Sequence, residues 1–156
     1  MIELYERLRG VPADAESRAQ AERLAESIRS AFSVVLVDEF QDTDPIQYAV
    51  IKRLFLRKRE PHPVWFVGDP KQAIYRFRGA DLETYLRARR DVEALYQTAG
   101  SGRFRGVYAL TTNYRSSPDL VRAFNAFWRT APNPFLRDDL AYLEVKSSAK
   151  NLPLMQ

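Results

Sequence analysis

The chain has 156 residues, of which 46% are hydrophobic, 12% aromatic and 28% charged, with a formal net charge of +4. That composition belongs to a globular domain with a real core and excludes a wholly disordered segment. It holds no cysteine and one histidine, His62, which excludes disulfides, Cys-ligated zinc, iron–sulfur clusters and thiol catalysis and leaves oxygen ligands, hence magnesium, as the expected metal chemistry.

The opening MIELYERLRG is expected to end a helix at Gly10 and Pro12, and its charge does not suit a signal peptide. Asp14 is an expected N-cap. Ala21, Leu24, Ala25, Ile28 and Phe32 then recur at helical spacing, which predicts an amphipathic helix over 14–31. Val34 to Val37 is a short β-branched run ending in Asp38 and Glu39, which predicts a parallel strand buried on both faces. Asp44, Pro45 and Gln47 form a capping-box start for a helix reaching about Arg57.

Pro61 and Pro63 interrupt the chain, and His62 between them reads as a surface residue. Val64 to Val67 predicts a second buried strand, followed by Gly68, Asp69 and a short helical turn from Lys71 to Tyr75. Asp81 caps a helix with Leu82, Tyr85, Leu86, Val92 and Leu95 on one face. Val107 to Leu110 predicts a third strand, and Ser117-Pro118 opens a helix carrying Leu120, Val121, Phe124, Phe127 and Trp128. A last short strand is expected around Tyr142–Val145. No apolar run reaches the ~20 residues of a membrane span.

Strand–helix alternation of this kind predicts an α/β fold, a parallel sheet flanked by helices. Ligands in such sheets sit beyond the carboxyl ends of the strands. Three polar strand ends, Asp38/Glu39, Gly68/Asp69 and Thr112/Asn113, are expected to converge there.

Each segment has a bland reading beside a chemical one. Two adjacent acids at a strand end can offer one carboxylate to magnesium and another to an attacking water, or can simply face solvent. In GDPKQAIYRFRGAD (68–81), Gln72 can donate and accept at once. Tyr75 and Phe77 interleaved with Arg76 and Arg78 combine stacking surfaces with cations, as single-stranded nucleic acid requires. The same aromatics could equally be core residues. Arg115 follows a strand end and can reach an anion, or can pair with a local acid such as Asp119. Between Lys52 and Arg90 eleven Lys/Arg face four Asp/Glu, which suits nucleic acid or a set of solvated helix faces.

Taken together and in this order, VDEFQDTDPIQ (37–47), GDPKQAIYRFRGAD (68–81) and TTNYRSSPDLV (111–121) resemble motifs II, III and IV of the UvrD/Rep-like superfamily 1A DNA helicases. The wording is nearest the RecB-like branch, the beta subunits of exodeoxyribonuclease V. The resemblance implies a partial P-loop NTPase (RecA-like) motor domain over 1–135, with 136–156 starting a connection to the next subdomain. It implies ATP and Mg2+ as cofactors. Asp38 would bind the metal, Glu39 would activate water, and Gln72 would sense the γ-phosphate. Arg115 would contact that phosphate, Tyr114 would stack near the adenine, and Tyr75, Phe77 and Arg78 would line the DNA path. Many members carry Trp where this chain has Phe77. Implied partners are single-stranded and duplex-end DNA and the other, RecC- and RecD-like, subunits of an exodeoxyribonuclease V-like complex, with no membrane and a cytoplasmic location.

No G-x-x-x-x-G-K-[ST] phosphate loop occurs in this sequence. The family's later motifs and the RecB nuclease domain are also missing. The expectation is therefore an internal fragment, inactive alone, of an ATP-dependent helicase/exonuclease subunit acting in repair and recombination. The alternatives from other classes are a non-catalytic single-stranded nucleic-acid-binding module and a protein-interaction scaffold.

Overall fold

The computed structural model describes residues 2–9, 15–57, 62–74, 81–98 and 106–150. The chain divides into two compact units, Met1–Val107 and Tyr108–Gln156.

In the first unit, α1 (Ile2–Arg9) and α2 (Ala15–Ser30) precede strand β1 (Val35–Val37). A turn of 3-10 helix at Phe40–Asp42 leads into α3 (Pro45–Phe55), then strand β2 (Val64–Phe66), a second 3-10 turn at Pro70–Gln72, and α4 (Leu82–Thr98). The start of α3 follows its sequence closely. The Asp44 carboxylate accepts from the amides of Ile46 (2.7 Å) and Gln47 (2.8 Å), while the Gln47 side chain accepts from the Asp44 amide at 3.1 Å. With Pro45 at the first helical position, the capping box satisfies donors that a helix start leaves open. Asp81 likewise accepts from the amides of Glu83 and Thr84 and caps α4.

β1 and β2 pair in parallel, Val35 with Val64, Leu36 with Trp65 and Val37 with Phe66. Leu8, Ala25, Val50, Leu54 and Phe55 form one buried cluster that packs on Val35 and Val64. Phe40, Tyr48 and Ala88 form a second that packs on Val37 and Phe66. The helices therefore cover the sheet face that carries these four residues. Side chains alternate along a strand, so Leu36 and Trp65 fall on the other face and remain 66% and 45% exposed. The expectation of strands buried on both faces is corrected here: among the described residues the helical layer covers one face, and Leu36 and Trp65 on the other are exposed. The apolar run outlasts the cover it receives, since Val34 and Val67 are exposed too.

Polar links tie the helices together at their rims. Glu22 of α2 accepts from Arg53 (2.8 Å) and Arg57 (2.6 Å). The Arg53 hydrogen bond works against burial to lower its pKa, with help from Arg57. The Tyr48 hydroxyl donates to Asp91 of α4 at 2.6 Å, and Lys52 pairs with the same carboxylate at 2.7 Å. Burial chiefly, and then the Asp91 bond, pushes the Tyr48 hydroxyl far up, so it stays a donor.

In the second unit, β3 (Thr112–Asn113) pairs in parallel with β4 (Lys146–Ser147), and α5 (Pro118–Trp128) lies between them in sequence. Two further expectations are corrected. Val107–Leu110 is not a strand: the segment is exposed, Leu110 at 90%, and pairing begins only at Thr112. The last strand is Lys146–Ser147 rather than Tyr142–Val145, fixed by the Lys146 amide on the Thr111 carbonyl and the Ser148 amide on the Asn113 carbonyl, both 2.8 Å. β3 and β4 form their own sheet, separate from β1 and β2. The fold is thus α/β, and the described strands make two small parallel sheets rather than a single one. Helix α5 starts on Ser117, as its sequence predicts, but Leu120, Phe124 and Phe127 are exposed while Asn125 is buried. Asn125 donates to the Val145 carbonyl at 2.8 Å and accepts from the Tyr142 hydroxyl, which pins α5 to the segment before β4. No described helix is long and apolar enough to cross a membrane.

Removing the Asp44 cap by Asp44→Ala is expected to cost about 1 kcal/mol, read as a lower urea midpoint. Leu36→Ser, on the uncovered sheet face, is expected to change stability by under about 0.5 kcal/mol. A loss of several kcal/mol at Leu36 would contradict the one-sided core.

Candidate functional site at the strand ends

After Val37 the chain leaves the sheet through Asp38 and Glu39, both exposed. Glu39 lies in the left-handed region at φ 49°, ψ 42°, which is uncommon for a residue with a side chain. Its amide donates to Asp38 Oδ1 at 2.9 Å. The turn then drives Phe40 into the core, 2% exposed, with its ring 4.3 Å from that of Phe66. The Phe40 amide donates to the Val67 carbonyl at 2.9 Å, and the Val67 amide donates to the Val37 carbonyl at 2.9 Å. The two strand ends are therefore laced together beyond the last paired residues.

Gln41, which the sequence reading passed over, sits at the centre of this lacing. Its side chain is buried. Nε2 donates to Glu39 Oε2 at 2.7 Å, and Oε1 accepts the Asp69 amide at 3.0 Å. Gly68 lets this happen: a Cβ there would stand 2.5 Å from Gln41 Oε1 and 3.0 Å from the Phe40 nitrogen. The sequence signal was faint, a lone glutamine between an apolar anchor and an acid.

Beyond β2, Asp69 organises the loop. Its Oδ1 accepts from the Lys71 amide at 3.0 Å and pairs with Lys71 Nζ at 2.7 Å, while Oδ2 accepts from Gln72 Nε2 at 3.2 Å. Burial works to raise the Asp69 pKa, but the hydrogen bonds from Lys71 and Gln72 outweigh it and hold the carboxyl below the ordinary range. Gln72 is exposed and held by this carboxylate, so its carboxamide has a fixed resting partner next to the strand ends. Tyr85 of α4 reaches the Gly68 carbonyl at 3.4 Å.

The structure thus brings Asp38, Glu39 and the Asp69–Gln72 loop to one sheet edge. Among the described residues no group of three or more His, Cys, Asp or Glu side chains gathers to hold a metal. Magnesium does not need one, since it commonly takes one or two carboxylates and completes its octahedron with water and phosphate oxygens. An exposed Asp38 with one oxygen engaged by the Glu39 amide suits that role.

Tyr114 and Arg115 lie in the second unit, in the loop after β3. Asn113 Oδ1 accepts from the Arg115 and Ser116 amides, both at 2.8 Å, which shapes the loop as an Asx turn. Both side chains are exposed. Asp119 pairs with Arg122, not with Arg115, and Arg115 forms no ion pair among the described residues. Tyr75, Phe77 and Arg78 lie outside the described residues. His62 is half-buried, with its ring 5.2 Å from that of Phe55, so its reading as a surface residue is corrected: it packs at the end of α3.

Gly68→Ala is expected to destabilise the chain by about 1–3 kcal/mol, because the Gln41 carboxamide and the Phe40 backbone leave no room for a methyl group. Thermal unfolding of the purified variant checks it. A carboxyl whose folded pKa lies below its unfolded value contributes stability that is present above the unfolded pKa and is lost as pH falls through the folded one. Stability is therefore expected to hold from neutral pH down to about 5 and to fall below about 4. Asp69→Asn should flatten part of that acid slope in urea titrations.

Residues 5–93 match the UvrD/REP helicase N-terminal domain family, a span that runs from α1 through Asp38, Glu39, Gln41 and the Asp69–Gln72 loop into α4. The chain is 41% identical over 133 residues to the RecBCD enzyme subunit RecB of Escherichia coli (strain K12), covering 85% of this chain and 10% of that protein. It is 38% identical over 135 residues to the RecBCD enzyme subunit RecB of Haemophilus influenzae, covering 86% and 10%. With the RecBCD enzyme subunit RecB of Chlamydia muridarum it shares 39% over 118 residues, covering 76% and 10%. The chain spans about a tenth of the length of these curated relatives. By the extent of the match and by this identity, the chain belongs to the UvrD/REP helicase N-terminal domain family.

Proposed function

We propose that this chain supplies part of the ATP-hydrolysing motor of a RecB-like DNA helicase subunit, acting in DNA repair and recombination. The observation that carries the reading is the pair of exposed acids at the end of a parallel strand, with the second acid held by a buried glutamine. In this reading residues 1–135 belong to the first motor domain and 136–156 begin a connection. The chain works as an internal segment of a longer polypeptide, whose other segments provide the phosphate loop and the second motor domain. The relatives' tenfold greater length supports that arrangement.

Asp38 holds the magnesium of Mg-ATP. The ion, when bound, neutralises charge on the β- and γ-phosphates. Glu39 orients a water toward the γ-phosphorus and takes its proton as the new P–O bond forms and the bond to the departing ADP breaks. Gln72, released from Asp69, hydrogen-bonds the γ-phosphate. Arg115 neutralises the same phosphate, and Tyr114 stacks near the adenine. Tyr75, Phe77 and Arg78 line a single-stranded DNA path, so that hydrolysis drives translocation. The partners are single-stranded and duplex-end DNA and RecC- and RecD-like subunits, in the cytoplasm.

ATP hydrolysis with and without single-stranded DNA tests the reading. The chain alone is expected to turn over little or no ATP. The longer polypeptide is expected to show DNA-stimulated hydrolysis that Glu39→Gln lowers by about 10²–10⁴-fold. Phe77→Ala is expected to weaken oligonucleotide binding by about 1–3 kcal/mol. DNA binding without any ATP turnover in the longer protein would instead make this a non-catalytic nucleic-acid-binding module.

A further inference from the structure

Gln41 is 3% exposed and reaches both strand-end loops. The direction of its carboxamide follows from its partners. The Asp69 amide can only donate, so the Gln41 atom facing it must be the carbonyl oxygen. The NH2 group then faces Glu39, and an NH2 group only donates, so it needs an acceptor oxygen on that carboxylate. A charge-assisted bond of 2.7 Å results. Glu39 is otherwise exposed, on a backbone turned into the left-handed region. No other described hydrogen bond restrains its carboxylate. The bond engages Oε2 and leaves Oε1 for a water.

The other end of the carboxamide grips the first amide of the loop whose Asp69 carboxylate holds Lys71 and Gln72. Gly68 keeps the approach open. Gln72, Asp69, Gln41 and Glu39 thus form one unbroken hydrogen-bonded line from the loop to the acid.

We infer that Gln41 is a positioning residue, which holds the Glu39 carboxylate in one orientation and ties it to the Asp69–Gln72 loop, so that displacement of that loop is felt at Glu39. The inference rests on reading Glu39 as the group that activates water. Its structural half stands apart from catalysis and is tested apart from it.

Two variants separate the two ends of the link. Gln41→Glu keeps the length and the acceptor for the Asp69 amide but removes the donor to Glu39. Gln41→Met keeps the approximate length and removes both. Side-chain NMR of the 156-residue chain reads the result. In the wild type the two Glu39 γ-protons are expected to be resolved and to show contacts to the Gln41 NH2 group. In Gln41→Glu they should collapse toward averaged shifts while the Asp69 amide stays near its wild-type position. In Gln41→Met the Asp69 amide should move as well. If Gln41→Met does not fold, Gln41→Glu carries the test. A Glu39 side chain as ordered in Gln41→Glu as in the wild type would overturn the inference, whatever the enzyme activity.

In the longer polypeptide, Gln41→Glu should lower kcat for ATP by about 10- to 100-fold with KM within about twofold, as expected for loss of alignment rather than of binding. Unchanged kcat with a disordered Glu39 would overturn the positioning role. Absence of hydrolysis by the wild type would instead overturn the reading of Glu39, and the NMR arm would still decide whether Gln41 holds it.

Discussion

The Phe40 ring lies against Phe66 in the core, and its own amide hydrogen-bonds the Val67 carbonyl across the strand ends. Everything distinctive about the strand-end site depends on this double anchor. An apolar side chain placed three residues past β1 can reach the core only if the chain turns sharply, and Glu39 makes that turn in a left-handed conformation. The turn leaves Asp38 and Glu39 in solvent while the next two residues are buried. Burial of one aromatic ring contributes on the order of 1.5–3 kcal/mol, enough to offset the roughly 1–2 kcal/mol that a left-handed residue costs. Gln41 then lies inside, where its two polar ends must find partners, and the nearest are the acid before it and the loop amide beside it.

The same unit shows how far a thin sheet can support such an edge. Two three-residue strands carry a helical layer on one face, and Leu36 and Trp65 on the other are exposed among the described residues. Ion pairs and a buried tyrosine secure the rims of that layer. Arg53 and Arg57 on Glu22 join α2 to the end of α3, and Tyr48 with Lys52 on Asp91 joins α3 to α4. Exposed pairs of this kind contribute little singly, but each sits beside a buried apolar cluster that sets its geometry. In the second unit Asn125 does comparable work: a buried amide satisfied at both ends holds α5 to the extended chain before β4.

Local chemistry was readable in the chain. Asp44-Pro45 with Gln47, Asp81 and Ser117 each signalled a helix start, because a cap is a contact between near neighbours and needs nothing from the rest of the fold. The acids at the end of Val34–Val37 and the glycine after Val64–Val67 were readable for the same reason. The strands were less so. Val107–Leu110 has the composition of a strand, yet composition does not fix where a strand pairs, and the described pairing is Thr112–Asn113 with Lys146–Ser147. Burial of the second sheet face does not follow from the apolar run either, since an apolar pattern records a preference and not what lies opposite.

By itself the sequence determined the helix caps, the order of strand and helix in the first unit, the identity of the strand-end acids, and the family to which those words belong. These depend on residues adjacent in the chain. The tertiary structure alone decided which face of each strand is covered, which segments pair into which sheet, and that Gln41 joins Glu39 to the loop after β2. Those outcomes depend on groups such as Gln41 and Asp69, distant in sequence, meeting within hydrogen-bonding distance. Only the folded backbone, with Gly68 lacking a Cβ and Phe40 anchored in the core, brings them that close.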